Sequence, residues 1–263
     1  MNCLLFVPGA RPDRFAKALV AGADAICIDL EDAVAAPDKL AARDAALGWL
    51  AANDAAPAWL RINALSTHDG LADLLALVGR EVRPHALLLP KVESARDIAI
   101  VRELVPEMPL VPLVESAAGL RAVTEIARAP GVVAAMFGGG DLSAELGVEL
   151  AWEPLRTHRD LFLLGCAGAG VSTIDVPFVH LEDPDGLARE SASARAAGFS
   201  AKAAIHPAQV EPIRRAFAPS EAERRAAAEA LAAFEAGGGR AVRHKGRMLE
   251  APLVRRLREV VDA

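Results

Sequence analysis

Several things are scarce in this chain of 263 residues, and each scarcity removes a class of protein. Three cysteines, Cys3, Cys27 and Cys166, are too few and too scattered for a disulfide framework or a zinc site. Cys3 and Cys27 lie inside apolar runs and read as ordinary core residues. Positive charge is outnumbered, 29 Lys and Arg against 35 Asp and Glu, so there is no electrostatic case for binding nucleic acid. No apolar run approaches the roughly 20 residues that span a bilayer. The apolar stretch at the N-terminus has no basic region before it and stops at Pro8-Gly9, too short for a signal peptide. A soluble, cytoplasmic protein is expected. His68, His85, His158, His180 and His244 form no pair with metal-ligand spacing. Cys166 has no partnered histidine, and neither a Gly-x-Ser-x-Gly elbow nor a Walker phosphate loop occurs. Nucleophilic hydrolase chemistry has no support.

What the chain does have is apolar residues, 53% of it, enough for one large core. They fall into short runs punctuated by Gly and Pro, the pattern of buried strands. Eight such runs occur, at 4–7, 25–30, 58–62, 86–89, 110–114, 132–137, 170–174 and 201–205. Stretches with helical spacing lie between them, at 13–21, 37–50, 70–77, 95–104, 120–129 and 154–167. Pro37, Pro154 and Pro207 fall where a helix could begin. This alternation predicts a parallel sheet. Eight repeats over about 215 residues predict an α/β protein with a closed (β/α)8 TIM barrel, a doubly wound open sheet being the rival. The barrel is assigned to 1–218. Beyond it, 219–263 is expected to form a C-terminal helical extension, folded over its own barrel or reaching a neighbouring subunit. There Ser220 and Glu223 make a capping box for a long Ala/Glu/Arg helix that Gly237-Gly238-Gly239 ends. A further helix spans 251–261.

Chemistry in a parallel sheet sits just past the carboxyl ends of its strands. Glu115 and Asp141 each stand where an apolar run stops, 26 residues apart, which leaves room for one intervening helix. Their strands are therefore expected to be neighbours, about 4.8 Å apart. Two carboxylates at that separation repel unless a hard cation such as Mg2+ lies between them. Charged residues end seven of the eight runs, among them the acids Asp29, Glu31 and Asp32, then Lys91 and Asp175. Arg61, flanked by apolar residues, needs an anion: either a structural partner among Asp29, Glu31 and Asp32, or a substrate carboxylate. The triplet Gly138-Gly139-Gly140 is either a turn or a concavity of backbone N–H groups facing an anion. His206, before Pro207, is a general base or a hydrogen-bonded rim residue.

Seven ordered motifs then carry a resemblance. They are Leu5-Phe6-Val7-Pro8-Gly9, Asp29-Leu30-Glu31-Asp32-Ala33-Val34, Arg61-Ile62-Asn63-Ala64, Leu89-Pro90-Lys91-Val92-Glu93-Ser94, Val114-Glu115-Ser116-Ala117-Ala118-Gly119, Gly140-Asp141-Leu142 and Ile205-His206-Pro207. Together, across 4–254, they resemble the citrate lyase beta subunit (CitE-like) family within the HpcH/HpaI aldolase group. The resemblance implies a Mg2+-dependent carbon–carbon lyase, usually a homotrimer. It would cleave a 3-hydroxy-acyl thioester of the citryl, malyl or citramalyl type, on coenzyme A or an acyl carrier protein, into a keto acid such as oxaloacetate and an acetyl-type thioester.

The resemblance also assigns roles. Glu115 and Asp141 match the metal ligands, and Arg61 matches the arginine that binds the keto-acid carboxylate and polarises the forming carbonyl. Gly139, Gly140 and Asp141 match the loop that receives the same carboxylate, and Glu31 and Asp32 match acids that hold metal-bound waters. Two departures stand out. The Arg-Ser that usually precedes the first strand is replaced by Asn2-Cys3, which leaves Arg11 or Arg14 to supply an anion contact. Glu250 occupies the place of an aspartate that serves as acid/base in several relatives. Two alternatives accompany the lyase: a malyl-CoA-type thioesterase, and a carrier-dependent subunit inactive outside a citrate lyase complex.

Overall fold

Strands form in the expected order and close on themselves. They are β1 (Cys3–Pro8), β2 (Ala25–Asp29), β3 (Ala58–Arg61), β4 (Ala86–Leu89), β5 (Leu110–Val114), β6 (Ala134–Phe137), β7 (Ser172–Asp175) and β8 (Ala201–Ala204). All eight pair in parallel, and β8 returns to β1 with Cys3 opposite Lys202. The computed structural model describes residues 1–80 and 83–262. Helices α1 (Phe15–Leu19), α2 (Lys39–Ala52), α3 (His68–Leu75), α4 (Ala95–Leu104), α5 (Ala117–Ala127), α6 (Gly139–Leu146), α7 (Trp152–Cys166) and α8 (Pro184–Ala197) connect the strands. This is a (β/α)8 barrel. The chain divides into two compact units, Met1–Arg214 and Arg215–Ala263, and α9 (Val210–Phe217) runs through the boundary.

Side-chain alternation sets the inside of the barrel. Leu4 of β1, Cys27 of β2, Leu88 of β4, Leu113 of β5, Met136 of β6 and Ile174 of β7 share one apolar cluster, with Phe6 and Trp59 packed against it. Fully buried side chains of this size contribute roughly 1.5–3 kcal/mol each. Moving two residues on keeps the inward phase and arrives at Asp29, Arg61, Glu115, Gly138, Val176 and Ile205. All six line one cavity.

The outward phase carries a second set of charges, and here one expectation is corrected. Asp175 ends β7 as a charged residue should, but it follows inward Ile174 and points away from the cavity. It is wholly buried, receiving Arg159 Nε at 2.8 Å and Lys202 Nζ at 2.7 Å. Lys202 also reaches Glu190 at 2.8 Å and the Val176 carbonyl at 2.7 Å. Burial alone would raise the Asp175 carboxyl, but Lys202 and Arg159 outweigh it and hold the group below its usual range.

Two strands start two residues later than the sequence reading placed them. Gly170 adopts φ 75°, a left-handed conformation that no strand accepts, so β7 begins at Ser172 rather than at 170. Val132 donates to the Ala129 carbonyl in a turn, so β6 begins at Ala134.

The second unit holds α10 (Glu221–Ala236), a hairpin of β9 (Val242–His244) and β10 (Arg247–Leu249), and α11 (Ala251–Asp262). Ser220 and Glu223 exchange the two bonds of a capping box. The hairpin was not anticipated. Its turn puts Lys245 at φ 44° and Gly246 at φ 81°, and only the glycine announces such a turn in sequence. Ala230, Phe234, Leu249 and Val254 form this unit's own small core. The last residue of the expected extension, Ala263, lies outside the described residues.

Replacing Lys202 with Met leaves the buried Asp175 and the half-buried Glu190 with Arg159 alone. Urea unfolding is expected to show a loss of roughly 3–5 kcal/mol, and a loss below about 1 kcal/mol would contradict a structural role for the cluster.

Candidate active site at the carboxyl rim

Arg61 is held by acids from the preceding strand. Its Nε and Nη2 each donate to Asp29 at 2.6 Å, a bidentate pair, and Nη1 reaches Asp32 at 3.1 Å. Glu31 Oε2 lies 2.9 Å from Nη1 but outside hydrogen-bond geometry, so that buried oxygen has no hydrogen-bond partner among the described residues. Of the two readings of Arg61, the ion pair is therefore present, and the guanidinium also lines the cavity. Burial opposes its charge, yet the bonds to Asp29 raise the pKa above the ordinary arginine value. The acidic loop is itself fixed: Asp29 accepts from the Glu31 and Ala33 N–H groups, and Lys39 Nζ donates to the Leu30 and Glu31 carbonyls.

Glu115 and Asp141 do come from neighbouring strands. β5 and β6 pair Val114 with Phe137, and each acid follows its own strand end. Glu115 is buried and Asp141 is exposed, in the first turn of α6 where the helix dipole favours negative charge. Gly138 makes room for the first of them, because a Cβ there would overlap the Glu115 side chain. Lys91 joins the two: its backbone N–H donates to Glu115 Oε1 at 2.8 Å and its ammonium to Asp141. It does so from φ 53°, a left-handed conformation that a residue with a Cβ adopts at a cost and that clusters at functional sites.

The titration behaviour follows from this crowding. Burial, then the charge of Glu31, pushes Glu115 up to about 8, against the Lys91 N–H. Burial pushes Glu31 up to about 7 against Arg61, with Asp32 adding to the rise. Lys91 Nζ stands 3.8 Å from Glu31, so one ammonium serves several carboxylates. Oxygen ligands with too little positive charge suit a hard divalent cation. Among the described residues, no three His, Cys, Asp or Glu side chains converge as a complete cage. Mg2+ is commonly held by one or two carboxylates with water and substrate completing its shell, and Glu115 and Asp141, on neighbouring strand ends and both bonded to Lys91, are the candidate pair.

The cavity has a volume of ≈ 400 Å³. A second of ≈ 430 Å³ shares Phe6, Val7, Pro8 and Ile205 with it and brings Arg14, Lys17 and His206 to its walls. His206 Nδ1 accepts from the Ala208 N–H at 3.2 Å, which makes it a cap.

The structure thus brings Glu31, Asp32, Arg61, Glu115 and Asp141 to one rim. Gly140 lines the cavity, whereas Gly139 packs its Cα towards Leu150, Leu155 and Val176. Glu250 belongs to the second unit, exposed, directly after β10. Lys91 was given no role from sequence, and Gly138 only its place in the glycine triplet, not the room it makes for Glu115. Position was the signal for both, Lys91 as the charge ending the fourth run and Gly138 as the inward residue beyond Met136.

A closed barrel with paired acids at its carboxyl rim defines a metal-assisted enzyme class. The HpcH/HpaI aldolase/citrate lyase family matches residues 2–207, and the chain belongs to it. A (3S)-malyl-CoA thioesterase of Cereibacter sphaeroides is 36% identical over 236 residues, covering 88% of this chain and 82% of that one. A citrate lyase subunit beta-like protein of Mycobacterium tuberculosis is 37% identical over 257 residues, covering 95% and 90%. The crystal structure of M. tuberculosis CitE with magnesium, acetoacetate and coenzyme A superposes with a TM-score of 0.85 at 34% identity, covering 99% and 97%. Other crystals of CitE from that organism hold magnesium with pyruvate or with oxaloacetate.

Carboxyls raised in the native state bind more protons than in the unfolded chain, so stability is greatest below the unfolded value and falls as pH rises towards the native one. In buffer free of divalent cations, the contribution of Glu31 and Glu115 to the melting temperature is expected to fall as pH rises from the unfolded value of 4.5 towards about 8 and to level off above it. A flat profile would contradict the crowding of these two acids.

Proposed function

We propose that the protein is a Mg2+-dependent lyase that cleaves a 3-hydroxy-acyl thioester of the citryl, malyl or citramalyl type into a keto acid and an acetyl thioester. The observation that carries this reading is the rim itself: Glu115 and Asp141 on adjacent strand ends, with Arg61 facing the same cavity. Glu115 and Asp141 would hold the ion. When bound, Mg2+ acts as a Lewis acid on the oxygens of the substrate's hydroxy-carboxylate end.

Arg61 orients the substrate carboxylate with the backbone around Gly139 and Gly140, and Asp29 keeps the guanidinium plane aimed at the cavity. Glu31 and Asp32 order water at the rim. Glu250 is the proposed acid/base. It takes the proton from the substrate hydroxyl, and the electron pair of the breaking carbon–carbon bond passes into the thioester carbonyl as an enolate. Returning that proton to the enolate carbon releases the acetyl thioester and the keto acid, with every atom accounted for.

The basic second cavity supports a phosphate-bearing thioester, since Arg14 and Lys17 lie beyond the shared wall. The resemblance adds a cytoplasmic homotrimer to this reading. A second reading, thioester hydrolysis at the same site, is favoured by the similarity to a malyl-CoA thioesterase.

Product analysis separates the two. Citryl-, malyl- and citramalyl-CoA are incubated with the protein and Mg2+, and keto acid, acetyl-CoA and free thiol are measured. The lyase reading expects keto acid and acetyl-CoA in equal amounts, with Glu250→Gln slower by about 10²-fold or more. Free thiol with intact malate would overturn it.

A further inference from the structure

The cavity is divided by strand. Its charged sector is built from β2, β3, β5 and β6: Asp29, Asp32, Arg61, Glu115 and Asp141. Across the axis, the loops after β7 and β8 present no charge to it. The inward positions there are Val176 and Ile205, joined by Pro177 and Val179, with Leu150 from the connection before α7. Four carboxylates therefore face one guanidinium, and Asp29 and Asp32 already bond that guanidinium. Two positive charges from a bound divalent cation, with Lys91 already bonded to Asp141, would bring this sector only to neutrality and leave no cation to spare, and Lys91 does not line the cavity. Arg14 and Lys17 open onto the second cavity, behind the Phe6–Pro8 and Ile205 wall.

A citryl thioester carries two free carboxylates and yields oxaloacetate, whereas malyl and citramalyl thioesters carry one and yield glyoxylate or pyruvate. The first carboxylate can take Arg61 and the metal. The second would meet either more carboxylates or the apolar wall, which offers a charge no partner in exchange for whatever hydration it gives up. A hydrogen or a methyl group in that place suits Val176, Val179 and Leu150. Crystals of the M. tuberculosis relative hold pyruvate or oxaloacetate with magnesium, so the metal centre alone does not make this choice.

We infer that the uncharged β7–β8 wall restricts the substrate to hydroxy-acyl thioesters with a single free carboxylate, and that Val179 and Leu150 are specificity-determining residues. This rests on the lyase reading and narrows it.

Calorimetric titrations of pyruvate and oxaloacetate, each with and without Mg2+, test it on the wild type and on Val179→Lys. Val179 is 44% exposed, so a lysine fits there without being forced into the core. Pyruvate is expected to bind at least about tenfold more tightly than oxaloacetate when Mg2+ is present, and the lysine to narrow that gap by a similar factor. Mg2+-dependent binding of both acids with oxaloacetate equal or tighter overturns the inference and leaves the lyase reading standing. A pyruvate preference that Val179→Lys leaves unchanged takes the discrimination away from this wall and also overturns it. If neither acid binds in a Mg2+-dependent way, the lyase reading itself fails.

Discussion

In a closed parallel barrel every second side chain of every strand points to the axis, and the topmost inward side chain of each strand faces the mouth. This two-residue phase governs what the protein has at its rim. Below, Leu4, Cys27, Leu88, Leu113 and Met136 fill the barrel and make it rigid. One step higher, the same phase delivers Asp29, Arg61 and Glu115, so the charges are fixed by strands that the core already holds in register. Asp141 is the third residue of α6 and stays exposed. Rigidity matters here because like charges this close separate unless something holds them.

The same phase explains why charge is sorted into two compartments. Asp175 and Lys202 are out of phase with the cavity and meet Arg159 and Glu190 behind the strands. That cluster balances two acids against two bases, with Asp175, Arg159 and Lys202 almost wholly buried. The rim is the opposite, with a carboxylate excess, a Glu31 oxygen that has an ion-pair contact but no hydrogen-bond partner among the described residues, and carboxyls pushed up to about 7 and 8. One set of charges is satisfied by the fold, and the other awaits something the fold does not supply.

Much of this was legible in the sequence. Eight apolar runs gave the barrel because buried parallel strands are apolar on both faces, and Gly and Pro marked their ends. Glu115 and Asp141 were legible as a pair because both follow such runs. Asp175 was misplaced because run ends reveal where a strand stops but not which way its last side chain points. That depends on register, which a fully apolar run conceals. Lys91 was passed over because its role lies in its backbone as much as in its ammonium, and the left-handed turn after Pro90 has no glycine to signal it. The hairpin of the second unit escaped for a similar reason. Glu250 rests on the resemblance alone, since no local pattern marks an exposed acid as a proton carrier.

The central claim is that Glu115 and Asp141 form one divalent-cation site. Electron paramagnetic resonance of Mn2+ titrated into the protein tests it most directly, because the bound ion loses the free-ion signal. The account predicts one bound ion per wild-type chain and none in Glu115→Gln or Asp141→Asn, with both variants folded by circular dichroism. Undiminished uptake of Mn2+ by either folded variant would contradict it.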